Sequence, residues 1–277
     1  MTTQRAPLQF AGKAAIITGA ASGIGLAVAR ALAARGADLA IADIDADALQ
    51  AAHAELAATG RRVVSRVLDV RDDGAVAGVA AYFDGQLGPI HLLFNNAGID
   101  MSGTLASLSL QDWHRAFDIN VFGVVHGLRH FLPLLQRHGE RAHVVNTASG
   151  AGFWVNNAVA IGAYAATKYA VVAISEALEQ ELAGTPLGVS VLCPGPVATA
   201  FAERAPGASA LFRLSLAAGT PPDAVASWLL DEMERDEFYI FSPSRMGERL
   251  AQRTARILEA LARVPAASKD IEARATR

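Results

Sequence analysis

The sequence predicts an α/β protein: a single domain on a doubly wound parallel sheet of six to seven strands, with helices on both faces. Three observations carry this. Short apolar runs alternate with segments of helical apolar spacing from residue 14 to residue 192. The runs do not alternate between apolar and polar residues, as expected of strands covered on both faces. No stretch rich in Pro, Gly or Ser divides the 277 residues. The length would admit two domains of roughly 100–200 residues each, but the chain reads as one domain with a C-terminal extension. With 52% hydrophobic and 18% charged residues, there is apolar mass for one large core.

Each element follows in order. Residues 14–18 form a short apolar strand, followed by a glycine-bearing turn and a helix over 24–35 that Gly36 stops. Strand 38–42, helix 45–59, strand 62–68, helix 72–86 and strand 90–94 come next. Residues 111–137 make a long helical stretch, expected to bend or end near Pro133. Strand 143–147, helix 162–183 and strand 189–192 complete six strands. Residues 238–241 read as a seventh strand, 247–262 as an amphipathic helix and 269–277 as a polar, frayed end. The domain is taken as 1–245, with a cofactor half over about 12–120 and a catalytic and substrate half over about 121–245. The helical extension covers 246–277.

The net charge of −3 gives no basic footprint for nucleic acid and no polybasic patch for an anionic membrane. The one cysteine, Cys193, allows no intrachain disulfide and fits a reducing compartment. The first ten residues hold no apolar signal region, and no run is long enough to span a bilayer. A cytoplasmic protein is expected.

The turn after the first strand reads Thr18-Gly19-Ala20-Ala21-Ser22-Gly23-Ile24-Gly25. Gly19 permits the tight turn, Gly23 lets backbone approach a pyrophosphate, and Gly25 allows close helix–sheet packing. The helix N-terminus offers free N–H groups and a positive dipole end to phosphates. A glycine-rich turn alone is a weak signal; here it follows a strand and opens a helix, which marks a Rossmann-type dinucleotide site. Asp43 ends the next strand 18 residues after Gly25. A carboxylate there accepts the ribose hydroxyls of NAD and repels the 2′-phosphate of NADP, and neither the turn nor the vicinity of Asp43 carries Arg or Lys. The other reading of Asp43 is a cap for the following helix. NAD is favoured.

Tyr164 and Lys168 lie four residues apart on one predicted helix face. An ammonium at that distance favours the phenolate and draws the tyrosine pKa down from about 10, so Tyr164 can exchange a proton with a substrate hydroxyl. Ser149, after the strand 143–147, can donate a hydrogen bond to a carbonyl oxygen as charge develops there. Taken alone, such a Tyr–Lys pair is more often an ordinary surface pair.

In combination these features resemble the short-chain dehydrogenase/reductase family. The resemblance runs from about residue 12 to 199 and includes Gly19 to Gly25, Asp69-Val70, Asn95-Asn96-Ala97-Gly98, Asn120, Ser149, Tyr164, Lys168 and Pro194-Gly195. It implies that Tyr164 is the general acid/base and that Lys168 holds the nicotinamide ribose. Ser149 would orient the substrate oxygen, and Asn120 would hold a water that continues the proton relay. The turn residues Gly19, Ser22, Gly23, Ile24 and Gly25 would hold the pyrophosphate. Asp69 and Val70 would contact the adenine, Asn96, Ala97 and Gly98 would wall the adenosine side, and Pro194, Gly195, Val197 and Thr199 would flank the carboxamide. The implied activity is hydride transfer between a nicotinamide cofactor and a lipophilic or aromatic secondary alcohol or ketone, in a homo-oligomer (dimer or tetramer). The alternatives are an NADP-dependent carbonyl or 3-oxoacyl reductase and a non-catalytic dinucleotide sensor. The presence of Tyr164, Lys168, Ser149 and Asn120 together argues against the sensor.

Two departures stand out. Ser149 lies 15 positions before Tyr164, two more than is usual in the family; the extra residues fall within 152–158 and reshape the loop beside the substrate. The Asp-Gly-Gly ending common in the family is replaced by residues 238–241 and the helix 247–262, which bears on the tetramer interface. Phe153, Trp154, Phe201, Leu211 and Phe212 line either an apolar pocket under a mobile segment 200–220 or a lid and subunit interface. His126 and His130 share a helix face without a third ligand nearby, so no metal site is expected. Cys193 reads as a packed thiol.

Overall fold

A computed structural model describes residues 5–155, 159–201, 208–242 and 246–264. The described residues divide between two compact units, one within Met1–Ser244 and one within Arg245–Arg277.

In the first unit the apolar runs become strands β1 (Ala14–Thr18), β2 (Asp38–Asp43), β3 (Val63–Val67), β4 (Ile90–Asn95), β5 (Ala142–Thr147), β6 (Leu187–Cys193) and β7 (Tyr239–Phe241). They form one seven-stranded sheet in the order β3-β2-β1-β4-β5-β6-β7, every neighbouring pair parallel. Successive side chains of a strand point to opposite faces, and the two cores sort accordingly. Ala15, Ile17, Leu39 and Ile41 bury against α1 (Gly23–Ala34), α2 (Ala46–Ala57) and α8 (Pro222–Glu234). Ala14, Ile16, Ala40 and Ala42 bury on the other face, against α3 (Asp73–Leu87), α5 (Gly123–Gln136) and α6 (Gly162–Glu181). The expected doubly wound α/β sheet is thus present, with the seventh strand at its edge.

The long helical stretch breaks elsewhere than expected. Helix α4 (Leu110–Phe117) passes into a π-helical stretch, Asp118–Phe122, and then into α5. Pro133 lies inside α5, near its end, where the missing N–H removes one bond without stopping the helix. The break falls at Asn120, a π-bulge of the kind often found at functional sites.

Sequence reading passes over α8 and α7 (Ala210–Ala217). Helix α8 buries Val225, Ala226, Leu229, Leu230 and Met233 on one face, and Arg35 at the end of α1 pairs with its Asp231 and Glu234. Helix α7 occupies much of the segment expected to be mobile and is capped by Ser209, whose Oγ accepts from Phe212 N at 3.1 Å. Residues 202–207, the part of the extra loop at 156–158, and the expected frayed end 269–277 lie outside the described residues. In the second unit α9 (Met246–Leu261) is amphipathic, with Ile257, Leu258 and Leu261 exposed. Among the described residues, no helix is long and apolar enough to cross a membrane.

Candidate active site

The C-terminal ends of the strands gather most of the expected site residues at one edge of the sheet. Strand β1 lies between β2 and β4, where the strand order reverses and such sheets open a ligand crevice. The turn after β1 holds Gly19 at φ 65° and Gly23 at φ 55°, the left-handed region that favours glycine. A Cβ on Gly25 would come within 2.0 Å of Gly19 O, so only glycine brings α1 this close. Ser22 is the N-cap of α1, yet its side chain makes no capping bond, and no acidic residue stands in the first turn. The first turn of α1 thus supplies neither a side-chain cap nor an anion of its own to its N–H groups and dipole. Across the turn, Thr199 Cγ2 lies 3.4 Å from where a Gly23 Cβ would stand. This brings the segment after β6 to the phosphate turn. Ile24 packs on the core below.

Asp43 is buried at the end of β2. Its Oδ2 accepts from Ala21 N at 3.0 Å and its Oδ1 from Asp45 N at 3.1 Å. The helix-cap reading of Asp43 is corrected: Asp45 is the N-cap of α2 and accepts from Ala48 N. Asp69, after β3, binds Arg71 through both carboxylate oxygens, and the guanidinium holds its carboxyl below the usual range. Val70 packs toward α5, 2.8 Å from where a Gly123 Cβ would stand.

The Asn95–Gly98 segment faces inward more than expected. Asn95 Nδ2 donates to Asn146 Oδ1 inside the sheet. Asn96 Nδ2 donates to Thr18 O and Gly19 O, and Asn96 Oδ1 accepts from Thr147 Oγ1. Thr18 Oγ1 accepts in turn from the Asn96 and Ala97 backbone amides. These side chains tie β1, β4 and β5 together, leaving the Ala97–Gly98 backbone to form the crevice wall. On the far side, Pro194 O accepts from Gly150 N, Gly195 N donates to Ser242 Oγ, and Val197 pairs with Thr220.

Helix α6 carries Tyr164 and Lys168, both buried. Ser149 follows β5 close enough to the Tyr164 phenol to oppose the rise of its pKa, while its Oγ accepts from Ala151 N. The extra residues before α6 therefore leave Ser149 in reach of the tyrosine. Lys168 Nζ donates to Thr147 O at 2.8 Å and lies 5.7 Å from the Tyr164 ring centroid. Asn120 Oδ1 accepts from Ile99 N at 2.8 Å; Nδ2 donates to Ile99 O and to Thr167 Oγ1. Gly98 closes the group: a Cβ there would lie 3.2 Å from Asn120 Oδ1 and 3.5 Å from Lys168 Nζ.

The electrostatics differ from the sequence expectation. Burial pushes the Tyr164 phenol above its ordinary range; Ser149 opposes this, and the charge of Asp100 adds to it. Burial pushes Lys168 down from 10.5 to about 8. The lysine is engaged with a backbone carbonyl, so the chain by itself holds Tyr164 as a phenol.

Apolar side chains surround this centre. Phe201 meets the Tyr164 ring edge-on at 5.9 Å, and Met101, Ile161, Trp113 and Phe212 join the same cluster. Phe153 instead packs on Tyr239 and Phe241 of β7, and Leu211 is exposed. Sequence reading named Thr18 in the turn without giving it a role and overlooked Thr167 and Asp100. The two threonines are small hydroxyl residues that act through backbone bonds. Asp100 directly follows Asn95–Ile99, and its isolation as a charge in an apolar stretch was the available signal.

The two histidines of α5 go to separate partners, His126 to Val70 O and His130 to Asp73. At the opposite edge of the sheet, His91, His138 and Glu140 place ligand-type atoms within 4.8 Å of one another. There His138 Nδ1 accepts from Glu140 N while Nε2 bonds Ile90 O, and Lys13 Nζ sits 2.6 Å from Glu140 Oε2. These bonds occupy the imidazole and neutralise the carboxylate, so the trio reads as a salt-bridge cluster. Cys193 is buried, its thiol pushed up to about 12 by burial, and is a packed thiol.

Comparison with known proteins shows the family and the fold. The family model described as short chain dehydrogenase matches residues 13–208. The 1-deoxy-11-beta-hydroxypentalenate dehydrogenase of Streptomyces avermitilis is 39% identical over 253 residues, covering 90% of this chain and 91% of that protein. A short-chain dehydrogenase/reductase from Burkholderia phymatum, solved with NAD, superposes at a TM-score of 0.86 with 34% identity. That match covers 94% of this chain and 99% of the other. A short-chain dehydrogenase from Sphingobium yanoikuyae, solved with NADPH, superposes at 0.78 with 25% identity, covering 92% and 97%.

Proposed function

The chain belongs to the short-chain dehydrogenase family, and on that premise we propose that it is an NAD-dependent dehydrogenase of a largely apolar secondary alcohol, or reductase of the matching ketone. It is an NAD(P)-dependent oxidoreductase of alcohol and ketone groups acting on a small molecule; the cofactor choice, the substrate class and the residue roles are our reading. The observation that carries it is Tyr164, buried among apolar side chains with Ser149 beside its phenol and Lys168 one turn along.

The crevice fits a nicotinamide dinucleotide. The uncapped N-terminus of α1 and the turn Gly19, Ser22, Gly23, Ile24 and Gly25 would hold the pyrophosphate. Asp43, fixed by Ala21 N and Asp45 N, presents its remaining lone pairs to ribose hydroxyls and disfavours a 2′-phosphate. Nearby cations are committed elsewhere: Arg66 stacks on Tyr82 and Arg71 binds Asp69. The backbone from Asp69 to Val70 and from Asn96 to Gly98 would line the adenosine, and Pro194, Gly195, Val197 and Thr199 the nicotinamide end. When bound, the cofactor supplies the hydride acceptor or donor.

The protein's own part is proton handling. Tyr164 as the phenol gives its proton to a ketone oxygen held by Ser149, and as the phenolate takes the proton from an alcohol while hydride leaves the carbon for the cofactor. Because burial disfavours the phenolate, oxidation is expected to climb with pH and reduction to fall. Lys168 stands by to stabilise the phenolate and to hold a ribose hydroxyl. Both polar atoms of the Asn120 side chain are bound to Ile99 and Thr167, so a water relay past Lys168 falls to the backbone of the π-helical stretch. By this reading about 12–120 is the cofactor half and about 121–245 the catalytic and substrate half, with 246–277 a helical extension. A cytoplasmic homo-oligomer fits the family, and Phe122 of the π-helical stretch and Val125 of α5 leave apolar surface exposed for a second copy.

The test is cofactor reduction, followed by absorbance with NAD and separately NADP, on a panel of aromatic, alicyclic and polycyclic secondary alcohols. We expect activity with NAD and a loss of roughly 10³-fold in kcat/KM for Tyr164→Phe. Equal turnover with NADP would overturn the cofactor choice. Full activity in the Tyr164→Phe variant would overturn the acid/base assignment.

A further inference from the structure

Asp100 is a charged group near Tyr164 that the proposed chemistry leaves unused. It is 4% exposed, and burial pushes its carboxyl above the usual range. Ser102 Oγ donates to Oδ2 at 2.5 Å and the Met101 backbone also favours the carboxylate, whereas Oδ1 is buried with no hydrogen bond of good geometry. A buried acceptor left unpaired costs about 1–3 kcal/mol, and more when charged. Folding alone gives no return for placing it there.

The loop that carries Asp100 is held at both ends. On one side Ile99 is clamped through both backbone groups by the Asn120 side chain. On the other, Gly103 N donates to Ala160 O at 2.6 Å and pairs with Ile161, one residue before α6 begins. The clamp thus fixes Asp100 to the two elements that present Asn120 and Tyr164. Its charge reaches Tyr164, and its neighbour Met101 packs in the tyrosine's apolar cluster. Beside the loop lies a cavity of about 100 Å³, walled by Asp100, Ser102, Leu108, Asp112 and Arg115. That is roughly three water-sized volumes, room for a small polar group. Arg115 acts on Asp112.

We propose that Asp100 Oδ1 receives a second hydrogen-bond donor on the substrate, so that the preferred alcohol is an apolar body carrying, beside the reacting hydroxyl, a further hydroxyl or amine. This rests on the dehydrogenase reading and narrows it. A buried carboxylate with an unpaired acceptor is a specificity device. A substrate lacking the donor leaves it unpaired, and sites built this way discriminate strongly. Asp100 does not touch the transferred proton; it selects and orients.

The test compares matched pairs of secondary alcohols differing only by a second hydroxyl, and the corresponding amino alcohols, as ratios of kcat/KM within each variant. Ratios cancel any general loss of activity. In the unaltered enzyme the donor-bearing member is expected to lead by tenfold or more, and in Asp100→Ala the ratio falls to about one. Asp100→Asn keeps the volume and one acceptor oxygen; it retains part of a diol preference but loses an amino-alcohol preference, which separates the two donors. Thermal-shift binding of the same compounds to the unaltered protein and both variants reads the contact without turnover. If plain alcohols turn over and the pairs bind and react alike, Asp100 is satisfied by water and the proposal is wrong. If nothing turns over but donor-bearing compounds still bind in an Asp100-dependent way, the dehydrogenase reading fails and the Asp100 contact stands. Absence of both overturns both.

Discussion

The two sides of the crevice are made of different materials. The β1–β2 side, which would take the cofactor, is backbone: glycine torsions, uncapped helical N–H groups and one carboxylate locked by two main-chain amides. The β4–β6 side, which carries Tyr164, is buried side chains whose ionisation their surroundings decide. The first resists change because there is no space to change into. The second spends stability on groups that solvent would otherwise satisfy. A cofactor common to many substrates is met by rigid geometry, and the variable chemistry by tunable electrostatics.

The sharpest way to break this contrast is to add one methyl group. Gly25→Ala would put a Cβ 2.0 Å from Gly19 O and 2.6 Å from Asn96 Nδ2. Backbone must move to accept it, so we expect a loss of about 3 kcal/mol or more in stability and no measurable dinucleotide binding by calorimetry. Gly78→Ala, on the exposed face of α3 with open space around it, is the control and should gain about 0.5–1 kcal/mol. Equal costs at the two sites would refute the claim that packing, and not helix propensity, demands Gly25.

The second contrast predicts a gain in stability bought with function. Lys168 is depressed from 10.5 to about 8, so the folded state binds this proton less readily than the unfolded one. The resulting penalty is fully present below about pH 8 and is relieved as pH rises towards 10.5. At about 1.4 kcal/mol per pKa unit its ceiling is about 3 kcal/mol. Losing the bond to Thr147 O offsets about 1 kcal/mol of that. Lys168→Met is therefore expected to be inactive yet more stable by about 2 kcal/mol at neutral pH. The advantage should shrink between pH 8 and 10.5 in denaturant titrations. A variant less stable at neutral pH would show that Lys168 is a structural anchor.

The same division explains what could be read from the residues. Gly19 and Gly23 were legible because a left-handed backbone favours glycine, and Gly25 because close helix packing leaves no space for a Cβ. Apolar runs gave the strands because both faces of the sheet are covered. What escaped was set by tertiary partners. Asn96 was expected at the cofactor, but its amide completes bonds to Thr18 and Gly19 that exist only once β1 and β4 are adjacent. The break at Asn120, not Pro133, reflects the clamp on Ile99. Phe153 turned to β7 because Tyr239 and Phe241 offered it rings. Lysine spacing suggested an acidified Tyr164, whereas burial, which spacing does not encode, sets the opposite direction in the free chain.

The smallest effect tests the one side chain on the backbone-built side. Asp43 and Asp45 lie two residues apart and both accept main-chain hydrogen bonds, yet they serve different ends. Asp45 caps α2, and Asp45→Ala should cost about 1 kcal/mol in stability with the ratio of NAD to NADP activity unmoved. Asp43→Asn keeps an acceptor near Ala21 N and removes the negative charge. Two like charges a few ångströms apart at an effective dielectric of about 20 repel by about 4 kcal/mol, of which only about 1.4 kcal/mol is needed for a tenfold change. The NAD over NADP ratio of kcat/KM is therefore expected to fall about tenfold in Asp43→Asn through a gain with NADP, while thermal stability drops by about 1 kcal/mol. A fall produced by lost NAD activity alone would assign Asp43 to holding the turn through Ala21 and not to excluding the phosphate. Its carboxylate would then be one more part of the backbone scaffold, and the cofactor choice would have to come from residues beyond β2.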